Sequence, residues 1–425
     1  MKSLFAVLTL ALLVTSVTGA RGDEPVPSFE QAVARLVEVS TSLQLQKVQV
    51  ETSDIRRTQA LFQFTPSVTV AAKTVRTGNS LAPSELSGKQ AVGSADLNLF
   101  RFGADRAALN AAGKDREAQA ALYENEFLSA ELQAVSFLVD EISRKMTADI
   151  DRELVKLREQ SLAIARARFA QGLLAQQEVE KVQVDLENSR ARLADAEISR
   201  SEAEAALTAR IGTARVAPVW PWQSSLLDRK ARVFRVTDRE TANHPAFRAA
   251  TLALDSQESL LSAKNALFWP SIDAGFSYGF YNGAAVNAVP SQKIWSGAIT
   301  LSFPLFNRLS NLSDIRLQSQ AVIAADARRE GVRIDLDQEK QSAKEGFDLA
   351  LESVRRRIEN LQISKRIYQD NLRRFRGGRI NADELLIDQD RLLTSQLLEV
   401  NGWASVHRES TRYCHAMGYR LRDCL

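Results

Sequence analysis

The sequence is poor in the residues that most catalytic and metal sites need. Its 425 residues include only three histidines, His244, His407 and His415, and two cysteines. None of the histidines lies in the spacing of a catalytic triad or a zinc site, so we expect neither an enzyme nor a bound cofactor. Cys414 and Cys424 lie close together near the C-terminus, where one disulfide is possible in an exported protein.

The sequence also lacks an excess of one charge. Its 55 basic and 52 acidic residues give a net charge of +3, and blocks of one sign are short. Nucleic-acid binding therefore has no electrostatic support. No apolar run after residue 20 is long enough for a membrane-spanning helix.

The first twenty residues have the features of a secretory signal. Lys2 supplies the positive start, residues 4–14 form an apolar run, and residues 18–20 offer a small-residue cleavage site. We expect residues 1–20 to be a signal peptide, and a buried N-terminal helix is the alternative.

Glycine and proline are scarce and cluster near the predicted turns. Residues 104–170 and 313–375 contain no proline, and a helix of about sixty residues would be about 90 Å long. A heptad pattern predicts coiled-coil packing. Its positions are Phe347, Leu351, Val354, Ile358, Leu361, Lys365, Tyr368, Leu372 and Phe375 in the second stretch, and Val155, Leu162 and Phe169 in the first.

The chain contains two copies of one unit. A Phe-x-Pro-Ser segment ending at Ser67 recurs 204 residues later at Ser271. A set of residues around a glycine recurs 206 residues later: Arg168, Phe169, Gly172 and Glu178 correspond to Arg374, Phe375, Gly378 and Glu384. A long fixed period indicates a structural repeat.

Each copy is predicted to fold as a helix, a strand pair, a very long helix, a glycine turn and a returning helix. The first repeat, 21–212, has helix 29–62 with Ser28 as N-cap, β-hairpin 66–102 with a loop at 77–89, and helices 104–170 and 175–210. A connector, 213–238, carries Trp220 and Trp222, which we expect to pack on the helical body, with peptide or carbohydrate binding as the alternative. The second repeat, 239–425, has helix 245–267, β-hairpin 270–304 with a loop at 282–292, helices 313–375 and 381–412, and a C-terminal tail.

The strands alternate apolar and small or polar residues, which is typical of a sheet with two different faces. The candidate lipid-facing residues are Phe276, Tyr278, Phe280, Trp295, Ile299 and Leu301. Four strands cannot close a sheet in lipid, but three chains supply twelve, enough for a β-barrel. The predicted fold is therefore mainly α with a small β part, trimerising into a 12-stranded β-barrel on an α-helical barrel.

Several segments resemble the TolC-type outer membrane efflux proteins, and the resemblance covers nearly the whole chain after residue 20. They are residues 97–103, 168–172, 244–247, 301–307 and 374–378. The resemblance implies a homotrimeric duct in the outer membrane, surrounded by lipid, with a large periplasmic part. It also implies two partners, a periplasmic adaptor and an inner-membrane efflux pump or ABC exporter. Drugs, metal ions and secreted proteins all stay open as cargo.

The same resemblance implies roles at the periplasmic tip. The turns and adaptor-docking residues would be Gly172, Leu173, Gly377, Gly378 and Arg379. The candidate pore constriction comprises Glu178, Asp383, Glu384, Ile387 and Asp388, and three copies of Glu384 near the axis would favour cations. The alternative is that these acids only complement a helix dipole, and Arg379 is a candidate to pair with one of them.

A periplasmic coiled-coil scaffold, such as an adaptor, is the alternative function. It is disfavoured because an adaptor would add glycine-rich domains of short strands, and because a second strand hairpin has no place in such a protein.

Overall fold

The computed structural model describes residues 27–79, 82–212, 220, 240–283, 288–303 and 310–424. The expected signal peptide and the connector, apart from Trp220, lie outside the described residues. The first repeat contains α1 (Phe29–Glu38), α2 (Thr41–Phe62), β1 (Ser67–Asn79), β2 (Ala82–Phe100), α3 (Ala104–Ala170) and α4 (Gln176–Ile211). The second contains a 3₁₀ turn (Thr241–Asn243), α5 (Pro245–Ala266), β3 (Ser271–Gly283), β4 (Ala288–Ser302), α6 (Ser310–Arg376), α7 (Ala382–Ala416) and α8 (Leu421–Cys424).

The predicted fold class is confirmed for the single chain, which is mainly helical, with one small sheet and two copies of the same unit. The closed barrel and the trimer stay predictions. In the part of the chain that the structure describes, no helix combines the length and the apolar character needed to cross a membrane.

The first helix differs from the prediction, because it is broken after Glu38. Ser28 is the N-cap of α1, as predicted, and the structure adds a capping box with Gln31. The apolar face of α1, including Phe29 and Leu36, is buried in the core, whereas most of α2 is exposed. The break falls at Val39, the C-cap of α1, and Ser40, the N-cap of α2, and it involves neither proline nor glycine.

The sheet is antiparallel throughout, in the order β1-β2-β3-β4. Among the described residues, its outer edges belong to β1 and β4. The loops predicted at 77–89 and 282–292 are wrong, because the paired strands extend to Asn79 and Ala82 in one hairpin and to Gly283 and Ala288 in the other. Backbone pairing does not depend on side-chain polarity, so polar residues extend these strands.

The helices form layers around α3, which packs against α2 and α5 along one part of its length and against α4 and α7 along another. Helix α6 packs against α5 and then against α7. Two apolar clusters fill the interior, one around Leu138 and Trp403 and the other around Phe375 and Leu385.

The heptad residues of α3 and α6 are buried or partly buried as the coiled-coil pattern predicts, except Lys365 on α6 and Phe169 on α3. Lys365 is exposed, and the polar member of the seam is Ser364, whose hydroxyl lies 2.9 Å from that of Ser395 on α7. Phe169 is 46% exposed, although its counterpart Phe375 is fully buried. The two repeats therefore pack differently near their turns.

Candidate functional site

The turns that end α3 and α6 have the same backbone geometry. Gly172 has a φ of 70° and Gly378 a φ of 74°, a left-handed conformation that favours glycine. Leu173 N–H donates to the Arg168 carbonyl at 2.9 Å, and Arg379 N–H donates to the Arg374 carbonyl at 2.9 Å. These bonds satisfy the last helical carbonyls, so each glycine stops its helix and reverses the chain.

Arg168 joins the two turns. Its Nη1 donates to the Phe375 carbonyl at 3.3 Å, and its guanidinium lies 5.1 Å from the centroid of the Phe375 ring. The residues predicted to form the tip, Gly172, Leu173, Gly377, Gly378 and Arg379, are thereby brought to one end of the molecule. Leu173 is exposed there.

Glu178 belongs to the first repeat but interacts with the second. Its carboxylate accepts a hydrogen bond from the Ala382 N–H at 3.3 Å, at the first residue of α7, and lies 3.6 Å from Lys181 Nζ. A carboxylate at a helix N-terminus complements the helix dipole. This geometry supports the interpretation that Glu178 complements a helix dipole. The helix is α7 of the second repeat, however, and not α4, to which Glu178 belongs.

Asp383 also bridges the repeats. It accepts a hydrogen bond from Lys181 Nζ at 2.9 Å, and this bond raises the pKa of Lys181. The sequence had suggested Arg379 as a partner for the tip acids, and the structure gives Lys181 to both Glu178 and Asp383.

Glu384 and Ile387 are exposed and lie one turn apart on α7. The Glu384 N–H donates to Asn381 Oδ1 at 2.9 Å, which caps the helix and leaves the Glu384 carboxylate at its surface. Ile387 is 56% exposed. These two candidate constriction residues therefore share an accessible face.

Asp388 differs from Glu384 and Ile387 because it is buried in the chain, and its place in the constriction stays a prediction. It accepts one hydrogen bond from Asn371 on α6 and another from Arg391 Nη1 on its own helix, α7, the latter at 2.7 Å, and the residue is only 5% exposed. It lies one position beyond Ile387, and this rotation of about 100° on a helix moves a side chain from the surface to the interior.

A buried polar layer that was not predicted from the sequence lies between the repeats. Arg158 on α3 is 2% exposed and lies 2.7 Å from Asp390 on α7 and 3.5 Å from Asp185 on α4. Buried Gln389 donates to Ser161 Oγ at 2.9 Å. The sequence contained a signal for the burial of Arg158, because this residue falls between the heptad seam positions Val155 and Leu162.

The sheet has two chemically different faces. The six candidate lipid-facing residues share one face and are exposed: Phe276, Tyr278, Phe280, Trp295, Ile299 and Leu301. On the other face the hydroxyls of Thr69 and Ser94 lie 2.7 Å apart, and those of Ser277 and Ser296 2.8 Å apart. One face can therefore contact hydrocarbon while the other contacts water.

The C-terminal segment folds back on α7. Cys414 and Cys424 form a disulfide with a Cα–Cα distance of 5.8 Å. Leu421 N–H donates to Glu131 Oε2 at 3.0 Å, and burial raises the pKa of Glu131. In the residues that the structure describes, no group of three or more His, Cys, Asp or Glu side chains is arranged to hold a metal ion.

Trp220 is buried, and its ring stacks on His407 with centroids 5.3 Å apart. It therefore fills the helical body rather than offering a surface for peptide or carbohydrate. Trp222 lies outside the described residues.

Comparisons with known proteins identify a family. The profile of the family described as outer membrane efflux protein matches residues 33–213 and 236–418. None of the curated proteins matches the chain significantly. Among solved structures, the Campylobacter jejuni CmeC outer membrane channel is 16% identical, with a TM-score of 0.77 over 92% of this chain and 86% of that chain.

Two further structures are similar to the same extent. The Vibrio cholerae outer membrane protein VceC is 16% identical, with a TM-score of 0.72 over 92% of this chain and 96% of that chain. The open state of the Neisseria gonorrhoeae MtrE outer membrane channel is 18% identical, with a TM-score of 0.76 over 92% of this chain and 89% of that chain. At these low sequence identities, the structural similarity shows a shared fold and nothing more specific.

Proposed function

Because the chain belongs to the outer membrane efflux protein family, we propose that three copies of it close a lipid-embedded β-barrel that continues into a helical tunnel. The family places the chain in the outer membrane as an efflux channel rather than an enzyme. The trimer, the closed barrel, the docking surface and the gate are the parts that we propose.

The four-stranded sheet is the observation that carries the proposal. One face is apolar and the other bears hydroxyls, while β1 and β4 form the edges of the described sheet. In hydrocarbon each unpaired backbone group costs several kcal/mol, so the edges must find partners. Pairing β4 of one chain with β1 of the next gives twelve strands around an open lumen.

The helices support the same arrangement. On α2, residues 45, 48, 52, 55, 59 and 62 follow a spacing of three and four, and Leu45, Val48, Ile55 and Phe62 among them are exposed. In the part of the helical layer near the sheet, the order of contacts is α2, α3, α5, α6, which leaves α2 and α6 at the two ends. An exposed heptad seam on an end helix fits a coiled-coil contact with α6 of the next subunit.

The tip is proposed to dock a periplasmic adaptor and to hold the gate. Gly172, Leu173, Gly377, Gly378 and Arg379 would form the docking turns. The exposed face of Glu384 and Ile387 would line the constriction, while Glu178, Lys181 and Asp383 hold the two repeats together. An inner-membrane pump or ABC exporter would supply the energy, and conduction through this chain would be passive.

Planar bilayer recording tests the proposal. The full mature protein, extracted from outer membranes in detergent, should add stepwise ion currents to a lipid bilayer, with cations preferred over anions. The same preparation dissociated by boiling should add none. A preparation that binds lipid but carries no current at any voltage would contradict the channel, and would favour the coiled-coil scaffold instead.

A further inference from the structure

The two strand hairpins correspond residue by residue. Ser67 corresponds to Ser271, because each ends the same Phe-x-Pro-Ser segment. In the sheet Ser67 pairs with Asp96, and Ser271 pairs with Ser302. Asp96 therefore corresponds to Ser302, a step of 206 residues. The same step separates the tip glycines, Gly172 and Gly378.

One junction between hairpins is visible in the chain, the pairing of β2 with β3. There Asp96 pairs with Gly275 and Ser94 with Ser277. In a closed trimer the second kind of junction, between β4 and β1 of the next subunit, joins the equivalent strands. Strand β4 stands in the place of β2, and the next subunit's β1 stands in the place of β3.

We propose that the junction between subunits repeats the register of the junction between hairpins within one chain. This inference rests on the trimeric barrel proposed above and adds the register of its seams. Thr300 corresponds to Ser94, and Lys73 corresponds to Ser277. The pairing of Ser94 with Ser277 therefore predicts that Thr300 lies opposite Lys73 of the partner subunit. The Asp96–Gly275 pair translates into Ser302 opposite Ala71 of the partner subunit.

The register is consistent with the two faces of the sheet. Thr300 lies on the hydroxyl face with Ser296, and Lys73 lies on the hydroxyl face with Thr69, since side chains alternate along each strand. The seam also lies within both strands, because it runs from Ser302 to residue 294 on β4 and from Ala71 to Asn79 on β1. A slip of one residue would turn hydroxyls toward lipid, so the nearest competitors are slips of two.

Engineered disulfides distinguish these registers. Thr300→Cys is combined in the full chain with Ala71→Cys, Lys73→Cys or Val75→Cys, and the single variants serve as controls. Directly opposed residues have Cα atoms about 4.5–5.5 Å apart, within disulfide range, whereas diagonal neighbours are about 7–8 Å apart. The native disulfide is buried and adds no free thiol.

After mild oxidation of outer membranes, non-reducing electrophoresis should show roughly tenfold more inter-subunit cross-linking for K73C/T300C than for either neighbouring pair. Preferential cross-linking of A71C/T300C or V75C/T300C would overturn the register and leave the trimer intact. A heat-resistant trimer in which no pair cross-links would overturn the β4–β1 seam. A monomeric wild-type protein in detergent would contradict the proposed function itself.

Discussion

The Arg158 guanidinium lies 2.7 Å from the Asp390 carboxylate, and this contact joins a long helix of the first repeat to the returning helix of the second. Arg158 is almost fully buried, whereas Asp390 is exposed. The carboxylate therefore keeps contact with water, and the stem of the arginine packs in the interior. Packing and charge together hold the two repeats in register.

Replacing Arg158 by alanine should lower the free energy of unfolding by about 2–4 kcal/mol, because packing and two ion contacts are lost together. Arg158→Lys should recover little of this lost free energy, because a lysine ammonium lacks the planar guanidinium fork that contacts two carboxylates at once. Arg373→Ala is the matched control, because that arginine pairs with Asp370 at the surface and should cost less than about 0.5 kcal/mol. Equal urea midpoints for Arg158→Ala and Arg373→Ala would contradict the stabilising role of Arg158 between the repeats.

The long helices could be predicted from the sequence, whereas the contacts between repeats could not. Absence of proline and a seven-residue apolar period are local signals, and they identify α3 and α6 directly. The partners of Arg158 depend on the rotation of α3 relative to α7, which no local pattern encodes. Arginine is abundant on exposed helix faces, so composition alone assigns Arg158 to the surface.

Stability should fall in mild acid because His244 is needed in its neutral form. Its Nδ1 accepts a hydrogen bond from Ala246 N–H at 3.2 Å, and its Nε2 lies 3.1 Å from the His415 carbonyl. Burial lowers the pKa of His244 to about 4. The unfolded chain binds the proton below about pH 6.5, so stability decreases as pH falls from there to 4, by on the order of 3 kcal/mol for this group.

His244→Asn tests this pH dependence, since asparagine retains an N-cap and does not titrate. Urea unfolding followed by circular dichroism at pH 7.5, 5.5 and 4.5 should give a smaller loss in the variant. Burial also lowers the pKa of His407 to about 4, so part of the slope should remain. An unchanged slope in the variant would exclude His244 as a contributor.

Removing the disulfide should destabilise the C-terminal segment. Cys414 and Cys424 are 10 residues apart, and closing a loop of this size contributes about 2–3 kcal/mol. The double variant C414S/C424S should unfold at lower urea and exchange the Leu421 amide faster. Dithiothreitol added to the folded wild-type protein should have little effect, because both sulfurs are buried. Identical midpoints for the two proteins would contradict a stabilising role.

At the tip, Glu384 and Asp388 should behave differently. Glu384→Ala should lower the preference for cations in planar bilayers several-fold, because an exposed charge at a constriction acts on passing ions. Asp388→Asn is the control, since its buried carboxylate bonds Asn371 and Arg391. It should lower stability by about 1–3 kcal/mol and leave selectivity unchanged. Equal selectivity in the wild type and Glu384→Ala would remove Glu384 from the pore.

The candidate site was partly accessible to sequence reasoning. The glycine turns could be located, because a positive φ selects glycine and each turn follows a long helix. The burial of Asp388 could not be predicted, since residues four apart lie only about 40° apart around a helix, and Asp388 would be expected on the same exposed face as Glu384. The Glu178 contact with Ala382 was equally hidden, because it requires the two turns to meet in space.

The most direct measurement for the whole account is the mass of the mature protein in detergent, determined by native mass spectrometry. We expect a complex of three chains, and mild heating should leave it intact, because the strand seams are paired and shielded by detergent. A single chain that stays in solution when the detergent is removed would contradict a barrel built from several subunits.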